Sequence, residues 1–231
     1  MTLLQLVQAA FKRVGLTAPT SAIGNTDENV LRMIALANEE GQQLATRHDW
    51  QRLTSEATHT TLAAESQGLV TTIAGADFDR IKNGTFWNRT QNREWLPADN
   101  QHWQQMKASS VTGPNHYFRI RGNYLLAIPT PTAGQTLAFE WVSKNWCESS
   151  GGTGQSELVA DTDVLRLPDE LMRAGLKWRW KAAQGLEYAE DFRVYEEMVA
   201  DAMVRDGAPR NINMGGKVSG RGNVPEGSWT L

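Results

Sequence analysis

Apolar positions recur at three- and four-residue intervals at both ends of this chain and turn into partial alternation in between. At the N-terminus, Leu3, Leu6, Val7, Ala10, Phe11 and Val14 fall on one face and predict a helix over about residues 2–14. Thr2 and Gln5 have the spacing of a capping box, and Gly15 suits the C-terminal end. The loop TAPTSAIGN follows. Thr26 is the expected cap of a second helix, with Asp27 and Glu28 placed favourably against its dipole. The stripe of this helix is Val30, Ile34, Ala37, Gly41, Leu44 and His48. A glycine in mid-helix costs about 1 kcal/mol relative to alanine. Gly41 therefore predicts a close approach by another element, within the chain or between chains. HDWQRL then ends the helix and leads into TSEATHTT, a threonine-rich run of β type.

The C-terminal end mirrors this. LPDELMRAGLKWRWKAA opens with Pro168 in the first turn, then Asp169 and Glu170. Leu171, Gly175, Trp178 and Ala182 repeat the stripe with its central glycine, while Arg173, Lys177 and Lys181 make a basic face. A last helix over about 187–206 is expected to bury Tyr188, Phe192, Tyr195, Val199 and Ala202. Its other faces carry Glu187, Glu190, Asp191, Glu196, Glu197 and Asp201. Gly207 and Pro209 end it. The basic and acidic helices could pair within the chain or join neighbouring copies.

Between the helical pairs, GLVTTI, GTFWNRTQNREWLP, HYFRIRGNYLLAIP and QTLAFEWVSKNW have strand composition. RIRGNYLL reads as a hairpin turning at Gly122-Asn123, and NRTQNRE as a second hairpin tip. DNQHWQQMKAS reads as a short helix capped by Asp99, and AIPTPTAGQT as a loop between strands. The plan is α+β. A four-helix body, residues 1–51 and 161–207, holds an inserted antiparallel β-rich module, 52–147. A linker loop, 148–160, and an extended C-terminal arm, 208–231, complete it.

Composition narrows the chemistry. The chain has 231 residues, a net charge of −3 and a pI near 5.8, without the basic excess of a dedicated nucleic-acid binder. One cysteine, Cys147, excludes an intrachain disulfide and a multi-cysteine zinc site. The N-terminus lacks the basic start and continuous apolar core of a signal peptide, and no run is long enough to span a membrane. His48, His59, His102 and His116 are scattered without metal-ligand spacing. His48-Asp49 has no accompanying nucleophile motif. GGTGQSEL lacks the lysine and hydroxyl residue of a phosphate loop, so a solvated linker is expected. Asp77, Asp79 and Glu94 are carboxylates in the β region, but no spacing picks out a glycosidase pair. No catalytic residue, metal site or cofactor is expected. The nine tryptophans serve a core, an interface or a saccharide-stacking surface.

After Gly207 the pattern stops. Gly215, Gly216, Gly220, Gly222 and Gly227 punctuate a stretch with no periodicity, which by composition cannot bury a core of its own. It reads either as a loose terminus or as an arm that orders on a partner, through Arg210, Ile212, Met214, Val218, Val224, Trp229 and Leu231.

The ordered combination of ANEEGQQLATRHDW (37–50), ADFDRIKNGTFWNRTQNREWLPADNQHWQQMK (76–107), FRIRGNYLLAIPTPTAGQTLAFEWVSKNW (118–146) and LRLPDELMRAGLKWRWKAAQGLEYAEDFRVYEEMVADAM (165–203) resembles the head-to-tail adaptor, or connector, proteins of tailed bacteriophages, of the short-tailed-phage type. The resemblance spans nearly the whole chain. It implies a virion structural protein, assembled in the host cytoplasm, that forms a ring, usually of twelve subunits. Such a ring docks beneath the portal protein, continues the channel through which DNA passes without specific binding, and carries the tail tube or nozzle. On that reading Gly41, Leu44, Gly175 and Trp178 serve subunit packing, and the arm reaches the portal. Arg89, Asn92, Arg93, Gly122 and Asn123, at the hairpin tips, face the tail. The alternatives are a carbohydrate-binding module on the tryptophan-rich β region and a peptidoglycan hydrolase of a phage tail.

Overall fold

The first helix starts where its cap chemistry places it. In the computed structural model, which describes residues 1–109, 113 and 115–207, the Gln5 amide donates to Thr2 Oγ1 and the Thr2 amide to Gln5 Oε1. Helix α1 (Leu3–Arg13) buries Leu3, Leu6, Val7, Ala10 and Phe11. Helix α2 (Glu28–Arg47) is capped by Asp27 rather than Thr26, its carboxylate accepting from the Asn29 amide at 2.8 Å. A carboxylate both satisfies that amide and opposes the helix dipole, which a threonine hydroxyl does not. The buried face of α2 is Val30, Met33, Ala37, Glu40, Gly41, Leu44 and Ala45. His48 leaves the expected stripe, because it is the C-cap in extended backbone.

Four more α-helices follow among the described residues: α3 (Val70–Ile73), α4 (Asn100–Ser109), α5 (Asp169–Ala183) and α6 (Ala189–Arg205). The chain divides into two compact units. One is Met1–Thr54 together with the described chain from Val142 on; the other is Ser55–Trp141. In the first, α5 packs against α1, α2 and α6 around one core that includes Leu6, Met33, Leu44, Trp146, Leu176 and Tyr195. The short strands β9 (Cys147–Glu148), β10 (Gly154–Gln155) and β11 (Val164–Leu165) make a three-stranded antiparallel sheet in the order β10-β9-β11. The glycine-rich stretch thus contributes a strand. On α6 the expected burial is only half met: Tyr195 and Val199 are buried, but Tyr188 and Phe192 remain about 40% exposed. Both rings pack around Trp178 at the surface instead of entering the core.

The second unit is built on an eight-stranded sheet: β1 (Thr54–Thr60), β2 (Ser66–Leu69), β3 (Phe78–Ile81), β4 (Trp87–Asn88), β5 (Arg93–Pro97), β6 (His116–Arg121), β7 (Tyr124–Ile128) and β8 (Thr136–Ser143). The order is β1-β8-β4-β5-β6-β7-β2, with β3 also on β8. GLVTTI is not one strand. Its first two residues end β2, and Val70–Ile73 form the single turn α3. Nor is the module purely antiparallel: β5 and β6 run parallel, with Trp95 opposite His116. Parallel neighbours need a crossover, and α4 supplies it, its start capped by Asp99 accepting from the His102 amide at 2.7 Å. Strand alternation gives the sheet two apolar faces. Phe86, Trp95, Leu125, Ala127, Leu137, Phe139 and Trp141 share one core, with Phe118 and Ile120 against it. On the other face, Trp103 and Met106 of α4 pack on Leu126, Ile128 and Tyr117.

Candidate interaction surfaces

The glycines of α2 and α5 are filled from within the chain. A Cβ on Gly41 would overlap the six-membered ring of Trp146, and one on Gly175 would overlap the Glu40 carboxyl group. Leu44 is fully buried. The close approaches expected from Gly41 and Gly175 are therefore made between elements of one subunit. The Gly175 contact exposes a feature the sequence hid. Glu40 is completely buried in the apolar stripe of α2. Arg179 Nε donates to Glu40 Oε2 at 2.5 Å, the Tyr195 hydroxyl donates to Glu40 Oε1 at 2.5 Å, and Arg179 Nη1 reaches Glu39 at 2.6 Å. Burial, then the Glu40 charge, holds the Tyr195 hydroxyl well above its usual pKa, so it stays a donor. One carboxylate thus ties α2, α5 and α6 together.

The basic and acidic helices also pair within the chain. Lys177 and Lys181 both reach Asp191, at 2.6 and 2.5 Å, and hold its carboxyl below the usual aspartate range. Arg47 pairs with Glu196 at 2.5 Å and likewise depresses it, while Arg193 reaches Glu190 and Glu197. What this unit leaves at its surface is an apolar strip. Tyr188 and Phe192 are exposed beside the half-buried Trp178, over which the Arg179 guanidinium sits at 4.7 Å from the ring centre, and Leu186, two residues before Tyr188, is exposed as well.

In the second unit the two hairpin tips fold by local rules. Gly122 and Asn123 adopt φ of +57 and +67, as a type I′ turn requires, and Asn92 sits at +53. Strand direction then separates them. β5 leaves its tip at Arg93 and β6 runs parallel beside it, so the Gly122-Asn123 turn lies at the far end of the sheet. Arg89, Asn92 and Arg93 stand together at one end; Gly122 and Asn123 stand at the other. At the first end Arg89 pairs with Glu56 at 2.9 Å, and Arg93, His116, Thr130 and Thr132 line a cleft of about 640 Å³. At the second end the Val70 amide donates to the Asn123 carbonyl, and Asn123 Nδ2 donates to Thr71 Oγ1 at 3.0 Å.

Trp50, Trp95, Trp103, Trp141, Trp146 and Trp180 are buried, and Trp87 and Trp178 are half-buried, which makes these eight tryptophans core and edge residues. Asp79 is engaged by Arg80 at 2.5 Å. His116 lies flat on Trp95, and burial lowers the pKa of His59 against an opposing hydrogen bond with Gln67. Among the described residues no group of three or more His, Cys, Asp or Glu side chains is placed to hold a metal, and no helix is long and apolar enough to cross a membrane. Positions Arg210, Ile212, Met214, Val218, Val224, Trp229 and Leu231 lie outside the described residues.

This chain is a phage head-to-tail adaptor, a component of the virion. It belongs to the SU10 adaptor protein family, which it matches over residues 1–215. No curated protein matches the sequence.

Proposed function

We propose that this protein forms a ring beneath the portal, continues the channel through which DNA passes without specific binding, and attaches the tail. The observation that carries this reading is the match to the adaptor family over residues 1–215. The helical body, 1–51 with 161–207, makes the subunit contacts in a ring of twelve. Gly41, Leu44 and Gly175 set the helix spacing inside each subunit. Trp178 and the exposed strip of Leu186, Tyr188 and Phe192 supply apolar area of the kind found at the centre of protein interfaces. Residues 208–231 serve as the portal-binding arm, with Arg210 and Trp229 as its best charged and aromatic anchors. The β-rich module read as 52–147, which folds as Ser55–Trp141, presents the tail-side surface. Because its two tips stand at opposite ends of the sheet, one end of that module, not both, meets the tail. Electron cryomicroscopy of the protein mixed with its portal tests the whole reading. A closed ring on one face of the portal is the expected result; a protein that stays monomeric and unbound would sink it.

A further inference from the structure

The second unit neutralises most of its cations internally. Arg80 pairs with Asp79, Lys82 with Glu140, Arg89 with Glu56 and Lys107 with Glu65. Arg93 is also without an ion pair but lines the cleft at the other tip as a single cation, whereas the side chains of both Arg119 and Arg121 on β6 make no ion pair or hydrogen bond among the described residues. Their direction is fixed by the pleat. Phe118 and Ile120 face the aromatic core, so Arg119 and Arg121 face the other side, about 7 Å apart along the strand.

That other side is only half covered. Trp103 and Met106 of α4 close it over Tyr117, Leu126 and Ile128. Beyond them, towards the turn, the register puts Arg121 opposite Tyr124 and Tyr124 opposite Leu69. Tyr124 is 46% exposed and Leu69 38% exposed. A cation, an aromatic ring and an aliphatic side chain therefore stand in one row across three strands, with Arg119 one step inward. The row is held firm, because Asn123 is bonded to both Val70 and Thr71 of α3.

We infer that this face, Arg119, Arg121, Tyr124 and Leu69, is the surface that docks the tail component, and that it takes a protein surface presenting carboxylates beside an apolar ridge. The inference rests on the tail-attachment reading above and selects the Gly122-Asn123 end of the sheet for it. Two unneutralised guanidiniums ask for an anionic partner, and arginine forks fit carboxylates in a bidentate way. Arginine and tyrosine are also the residues enriched at interface hot spots. A phosphate backbone fits less well. Such surfaces carry many cations and little exposed aliphatic area, whereas this one alternates two cations with Tyr124 and Leu69 on a chain of net charge −3.

The test uses the full chain, its portal and the purified tail component of the same virion. Arg119→Glu with Arg121→Glu is expected to weaken tail binding at least about tenfold, and most at low salt. Melting temperature and portal binding should stay at wild-type values. The double lysine variant, which keeps the charge but not the bidentate fork, should lose part of the affinity and less than the charge reversal does, and Tyr124→Ala should also lose part of it. Tail affinity of the charge-reversed chain within about twofold of wild type overturns the assignment of this face. So does a short duplex DNA that binds the wild type and is released by the reversal while tail affinity holds. A wild-type chain that forms rings on the portal yet binds no tail component overturns the tail-attachment reading itself, and this inference with it.

Discussion

Single residues here are constrained by what occupies their space. Gly41 gives its Cβ position to the Trp146 ring, whose indole nitrogen is held by the Ser156 carbonyl at 2.7 Å and cannot swing away freely. Gly41→Ala should therefore overpack the first unit and destabilise it by about 1–3 kcal/mol, read as a lower melting temperature. A melting temperature at or above wild type would show that the ring can yield. Asp191 offers a test in pH. Lys177 and Lys181 depress its folded pKa, so the pairing contributes stability above the unfolded value, about 4, and loses it as pH falls through the lower folded value. Asp191→Asn should melt earlier than wild type at neutral pH, and the gap should close in acid. A gap that persists unchanged at low pH would mean the carboxylate charge is not what matters.

Between elements, the buried Glu40 decides how α2, α5 and α6 meet. Arg179→Met removes the counter-charge from a carboxylate with no exposed surface, and should cost about 3–5 kcal/mol. Adding Glu40→Met to it should recover much of that loss, because replacing both partners of a buried pair is far milder than removing one. Denaturant unfolding of the four proteins in a double-mutant cycle measures this; strict additivity would deny the coupling. What the sequence revealed follows the same division. Signals carried by neighbours along the chain were readable: the Thr2–Gln5 box, the Asp99 cap, the Gly122-Asn123 turn. Signals that depend on distant partners were not. Glu40 looks like one more charge in ANEEGQQ until Arg179 and Tyr195 arrive from the other end of the chain. The parallel pairing of β5 with β6 has no local mark, so the two tips read as a pair of equivalent loops. They are placed at opposite ends by α4, whose role as a crossover depends on where its flanking strands lie.

For the whole molecule, the proposed division of labour separates folding from attachment. A chain ending at Gly207 keeps every side chain that is buried among the described residues, and should match the full chain in melting temperature while losing most of its portal affinity. Undiminished portal binding by the shortened chain would remove residues 208–231 from that role. The first unit also contains its own clock. Cys147, the one cysteine of the chain, has no exposed surface, donates to the Gln155 carbonyl at 3.1 Å, and has its pKa pushed up to about 12, chiefly by burial. A thiol so placed is silent to alkylating reagents until β9 and β10 part. Its labelling rate therefore counts the openings of the subunit without any engineered probe. Followed before and after the chain is mixed with its portal, that rate would report in hours or minutes how much assembly slows the breathing of each copy.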